Sequence, residues 1–135
     1  MTEIESQHVR VKAPVGKVFS FLRDLNNFKQ LLPKDKISDW VSDRDNCRFK
    51  VNNMATIELV YKSEETDKSI HISSGAKSPF PFTLTIYTAL DANEVEVYNI
   101  FKGEMNPVIR MMAEQPLRNL FNYIAAEVGK VNFES

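Results

Sequence analysis

The residues of this chain that could do chemistry are few and scattered. His8 and His71 are its two histidines. No His-x-His or His-x-x-x-His spacing supports a metal site, and each falls on the strand parity expected to face solvent, so no metal site is assigned. Cys47 is the single cysteine, which excludes an intrachain disulfide and a cysteine-based metal site. It shares a parity with Phe49 and Val51, and no basic neighbour on that face would lower its pKa. It reads as a small buried hydrophobe, with a nucleophile as the weaker alternative. Glu64, Glu65, Asp43 and Asp45 fall in turns and should stay solvated. Asp39 shares the parity of Ile37 and Val41. Turned inward, it would carry a raised pKa and be a candidate acid, but such a residue more often sits near a strand end and stays wet. Asp39, Tyr61 and Glu5 are the groups an internal acid–base reaction could draw on. No catalytic residue is assigned, and no cofactor is expected.

Asn99 is a polar residue on the apolar face of a strand, between Val97 and Phe101. Buried without a partner it would cost about 1–3 kcal/mol. It either bonds a backbone group or a buried water, or serves as a polar handle that orients a ligand in an apolar pocket. Tyr61 and Ser74 share the inward parity and could join it. The aromatics Trp40, Phe80 and Phe82, and the group Met105, Met111 and Met112, admit two readings also: core packing, or the wall of a cavity. Trp40 opposes the parity of Ile37 and Val41, so the side it faces stays open.

These residues must be held by a small number of elements. The chain has 135 residues, 43% of them hydrophobic, with a net charge of −1. That suits one globular domain, 1–135, with a real core. The charge balance gives no electrostatic footprint for nucleic acid. No apolar run approaches a membrane span, and the acidic start Met1-Thr-Glu-Ile-Glu-Ser lacks a signal-peptide core, so a cytoplasmic protein without integral membrane association is expected.

Val9 and Val11 alternate with Arg10 and Lys12 in a strand over 3–12. Ile4 breaks its phase, which a bulge or frayed start would explain. Pro14 opens a short helix carrying Val15, Val18, Phe19 and Leu22. Asp24 caps a second short helix that ends before Pro33. Turn signals then separate strands over about 37–42, 47–51, 54–63, 69–76, 80–90 and 94–104. Asn52-Asn53 suits a two-residue hairpin turn. Apolar and polar residues alternate in the last strands, as an antiparallel sheet with one covered face requires.

Asn106 and Pro107 are a good N-cap and first residue for a long helix over 106–130. Ile109, Met112, Leu117, Leu120, Ile124 and Val128 make its apolar stripe. Arg110, Glu114, Arg118 and Asn122 make the outer row, with Glu114 and Arg118 spaced for an ion pair. Pro116 removes the hydrogen bond to the Met112 carbonyl and should bend the helix there. A lone helix after a run of strands must lie across the sheet.

This order of elements, opening on Val9-Arg-Val-Lys-Ala-Pro14 and Val18-Phe-Ser-Phe-Leu22-Arg-Asp24, resembles the START-like or SRPBCC superfamily. That superfamily includes birch-pollen-allergen-like proteins, polyketide cyclases and lipid-transfer START domains. The resemblance implies an α+β helix-grip fold: a curved antiparallel sheet of about seven strands, in the order β-α-α-β6-α, wrapped round the C-terminal helix with a cavity between. It fixes no chemistry, because one scaffold can serve many functions.

The expected function is non-catalytic binding of a small hydrophobic or amphipathic molecule in that cavity. Ile57, Leu59, Ile72, Phe82, Leu84, Val97, Phe101 and Met112 would bury its apolar body. Asn99, Tyr61 and Ser74 would supply polar contacts. Two other classes stay open. A cyclase- or dehydratase-type enzyme needs titratable groups converging in the cavity. An interaction protein with a filled core needs no cavity larger than a few waters.

Overall fold

Alternation of apolar and polar residues lays down the sheet. A computed structural model describes residues 2–51 and 55–133. Its strands are β1 (Thr2–Glu5), β2 (Val9–Val11), β3 (Ile37–Ser42), β4 (Asn46–Val51), β5 (Ala55–Glu65), β6 (Ser69–Ser74), β7 (Phe82–Asp91) and β8 (Glu94–Gly103). They form one antiparallel sheet in the order β1-β8-β7-β6-β5-β4-β3, with β2 also paired to β8. Helix α1 (Val15–Arg23) and a 3-10 helix (Leu25–Gln30) follow β2, and helix α2 (Pro107–Val128) closes the chain. This is the expected α+β helix-grip architecture, with a long helix on a curved sheet. The Asn52-Asn53 turn lies outside the described residues.

The N-terminal strand expected over 3–12 is two strands. The break at Ser6 to His8 lets Ile4 and Val11 both point inward, at 0% and 6% exposure. Ser6 ties the break to β8: its amide donates to the Asn99 carbonyl, and its hydroxyl accepts from the Asn99 amide, each at 2.9 Å.

A second irregularity sits in β3. Its register with β4 shifts between Ser38 and Val41, and Asp39 adopts φ 55°. This bulge swaps the side-chain parity within the strand. Trp40 consequently stacks on Phe49, ring centroids 5.7 Å apart, while Val41 is exposed. The question of which side Trp40 faces is settled toward the core. Asp39 is exposed, as the solvated reading has it, and the inward-acid alternative fails: the bulge that turns Trp40 in leaves Asp39 out.

The cap of α2 forms as expected, with the Asn106 side chain accepting from the Ile109 amide at 2.9 Å. The apolar stripe holds only beyond Pro116, where Phe121, Ile124, Ala125 and Val128 are buried. Met112 is corrected to the outside, 65% exposed, beside Val108 and Met111. The cause is placement: α2 packs chiefly on β8, β1 and β2, and its first turns reach past that contact. Glu114 pairs with Arg110 at 3.6 Å, not with Arg118.

Candidate functional site: the gap between sheet and helix

Four helix residues, Leu117, Leu120, Phe121 and Ile124, face the concave sheet across a narrow gap. Phe28 and Leu32 join its wall. The sheet supplies Phe49, Ile57, Leu59, Phe82, Leu84 and Phe101, and Phe80 enters from the loop before β7. All thirteen lining side chains are apolar. The free volume is about 20 Å³, room for about one water by size. In this conformation the rings fill the space: Phe101 lies 5.2 Å from both Phe82 and Phe121, and Phe80 meets it edge-on at 6.2 Å. Gly103 is part of that fit, since a Cβ there would come within 2.7 Å of the Phe101 ring.

The expected ligand positions divide in two. Ile57, Leu59, Phe82, Leu84 and Phe101 face the gap. Ile72 and Val97 are buried at 1% and 2% exposure but lie outside its wall. Ser74 is committed to structure, its hydroxyl accepting from the Phe82 amide at 3.0 Å and extending the β6–β7 ladder. Met112 lies outside, as described. Asn99 is 4% exposed, and its side-chain amide donates to the Phe121 carbonyl at a long 3.5 Å. Phe28, Leu32, Phe49 and Phe121 were not foreseen as lining residues. Phe121 was one step off the chosen stripe, yet its spacing of four from Leu117 and three from Ile124 marks the same face.

Tyr61 belongs to a different cluster. Its hydroxyl donates to Glu64 at 2.8 Å, and the Arg23 guanidinium lies 3.5 Å over its ring. Arg23 is 8% exposed. It donates to Glu64 at 3.1 Å, to Asp45 at 2.8 Å and to the Arg44 carbonyl at 3.3 Å. Burial works against the charged guanidinium, but Asp45, Tyr61 and Glu64 outweigh it and raise its pKa. Burial, then the bond to Glu64, raises the pKa of the Tyr61 hydroxyl. The pair of turn carboxylates expected to be merely solvated, Asp45 and Glu64, thus anchors the end of α1. Tyr61 is no handle here, because tertiary capture by Arg23 outranks its inward parity.

Burial at 1% exposure pushes the Cys47 thiol up to about 12. A folded-state value above the unfolded one means the folded chain holds the proton more tightly. This contribution to stability is therefore complete below the ordinary thiol range and is lost as pH rises toward 12. Cys47 is expected to resist alkylation at pH 8 in the folded protein and to react fully in denaturant. Labelling followed by intact mass would contradict the burial if native and denatured rates matched.

His8 bridges Glu5 at 2.6 Å and Glu96 at 3.5 Å, stacked on Tyr98 at 3.9 Å. His71 meets Ser69 at 3.2 Å on another strand. Among the described residues no group of three or more His, Cys, Asp or Glu could hold a metal ion. Among the described residues no helix is long and apolar enough to cross a membrane.

A sheet gripping a C-terminal helix over an apolar gap defines the START-like class of folds, and this chain has that fold. Norcoclaurine synthase from Thalictrum flavum is similar over 99% of this chain and 87% of its own, at 10% identity and a TM-score of 0.72. A START superfamily protein from Mycobacterium smegmatis matches over 96% and 99%, at 11% identity and a TM-score of 0.67. The protein XoxI from Bacillus cereus matches over 96% and 94%, at 13% identity and a TM-score of 0.73. At such identities the likeness is one of fold alone. No family model and no curated protein matches the chain.

Proposed function

We propose that the protein binds a small hydrophobic or amphipathic molecule between the sheet and α2, admitted by movement of α2 near Pro116, which lifts Leu117, Leu120, Phe121 and Ile124 off the sheet, or by movement of the loops at Lys77-Ser-Pro79 and Leu32-Pro33. The observation that carries this is the contrast along α2. Below Pro116 the helix covers an entirely apolar wall. Above it, Val108, Met111 and Met112 stand in solvent at 66%, 87% and 65% exposure. Burying one such side chain stabilises by roughly 1.5–3 kcal/mol, so three exposed together leave that stabilisation available to a ligand or partner. Exposed apolar groups of this kind mark interaction surfaces, and methionine adapts to irregular ones. Pro116 supplies no amide to the Met112 carbonyl, which weakens the helix where it would bend.

Volume favours a second reading. The gap of about 20 Å³ is far below the roughly 150 Å³ that admits a benzene-sized ligand. Without opening, the interface is a filled core, and the chain would act through its surface. The enzyme alternative has less support. No lining side chain is titratable, Asp39 and Glu5 are exposed, and Tyr61 is held by Arg23 and Glu64.

Native mass spectrometry of protein purified from its own host tests the choice. The expected result is a co-purifying mass that is lost on denaturation. Added toluene at 100 times its Kd should then stabilise the fold by about 2.7 kcal/mol. No bound mass and no stabilisation by toluene would leave the filled core as the answer.

A further inference from the structure

Two buried polar atoms on the inner face of the sheet have no hydrogen-bond partner among the described residues: Asn99 Oδ1 and Thr88 Oγ1. Their residues are 4% and 0% exposed. A lone orphan of this kind can be a packing accident, but these two are neighbours. Ile86 pairs with Asn99 and Thr88 with Val97, so Asn99 and Thr88 are diagonal partners on one face, about 7–8 Å apart. That is a backbone spacing; the side-chain oxygens extend from it, and one hydroxyl reaches both where they stand within about 5.5 Å, two hydrogen-bond lengths. The site adjoins the gap: Phe101, two residues from Asn99 on the same face, lines it. Phe121 lines it too, and its carbonyl accepts from Asn99.

We infer that Asn99 and Thr88 form the inner end of the binding site and select a ligand with a neutral hydroxyl at the tip of an apolar body. This rests on the binding proposed above. The chemistry follows from what each atom lacks. Asn99 directs its NH₂ at the Phe121 carbonyl, since the flipped amide would set two oxygens against each other. Its Oδ1 therefore needs a donor. Thr88 Oγ1 can donate or accept. A hydroxyl satisfies both atoms at once. A carbonyl offers no donor and leaves Asn99 Oδ1 orphaned. An ammonium or carboxylate would bring a charge among Ile86, Val97 and Phe121, which is far costlier than burying a neutral group.

Toluene, benzaldehyde and benzyl alcohol share one apolar ring and differ only at the tip, so titrating each against the wild type and variants tests the inference. The wild type should prefer the alcohol to the aldehyde. Thr88→Val should weaken benzyl alcohol about threefold to tenfold, the worth of one hydrogen bond, and leave toluene unchanged. Thr88→Ser, which keeps the hydroxyl, should keep the preference, and Asn99→Leu should abolish it. Thr88→Val should melt at or above the wild type, since it removes an unpaired buried hydroxyl. Clear destabilisation would mean that the hydroxyl is already satisfied, and would overturn the inference. An unchanged alcohol-to-toluene ratio in Thr88→Val and Asn99→Leu would overturn it too, while leaving the binding itself intact. Failure of all three probes to bind the wild type would remove the binding proposal, and this inference with it.

Discussion

Replacing Phe101 with alanine is expected to destabilise the protein by about 3–5 kcal/mol. Phe101 is 1% exposed and stands between Phe82, Phe80 and Phe121. No neighbour can collapse fully into its place. Phe82 is fixed by the β7 ladder, and Phe121 by the packing of α2 on β8. Most of the cost therefore comes from the void left behind, added to the lost transfer of the ring from water. The same void opens the gap between sheet and helix without any movement of α2. Toluene should raise the melting temperature of Phe101→Ala more than that of the wild type. Chemical denaturation measures the first effect and thermal melting with toluene the second. A loss under about 1 kcal/mol would show that the aromatic cluster does not hold helix to sheet.

Arg23→Ala should cost about 2–3 kcal/mol, less than the 3–5 of a fully buried pair because Asp45 is well exposed. The loss has several parts. Glu64, whose side chain is 29% exposed, is left without its cation. Tyr61 loses the guanidinium stacked on its ring, worth up to about 2 kcal/mol where desolvated. The Arg44 carbonyl loses a donor, and Arg44 also accepts from the Leu25 amide at 3.0 Å. Arg23→Lys should recover only part of this, because an ammonium cannot make the planar fork that meets Asp45 and Glu64 together. Urea titrations of the three proteins decide it. Equal stability of Arg23→Lys and the wild type would mean that charge alone matters here.

The sheet was legible in the sequence because its parity is clean. Val95, Val97, Asn99 and Phe101 all turn inward as their alternation requires, as do Phe82, Leu84 and Ile86. Asn106 and Pro107 marked the start of α2 by local chemistry alone. Thr88 was equally readable, two residues past Ile86, but a threonine in a strand raises no suspicion by type. Other features needed the third dimension. The bulge at Asp39 shifts the side-chain phase and no residue type announces it, whereas the break at Ser6 was signalled by the parity of Ile4. Tyr61 had the right parity, yet Arg23 lies 38 residues away in sequence, on another element. Met112 had the right helical spacing, but spacing says nothing of how far the sheet extends beneath a helix.

The place of β1 in the sheet governs when the molecule can assemble. Thr2 pairs with Gly103 and Val9 with Val97. β1 is thus matched to β8, the last strand of the sheet in chain order and made long after it. At roughly 5–20 residues per second of synthesis, β1 waits on the order of 5–20 seconds for its partner to be made. During that wait β3 to β7 can zip hairpin by hairpin, with α1 and the 3-10 helix on part of their inner apolar face and the rest bare, because α2 emerges later still. The nascent chain therefore passes through an open, half-covered meander that only its final third can seal. A ribosome stalled before β8 would hold a species prone to sticking, and one released after α2 would not.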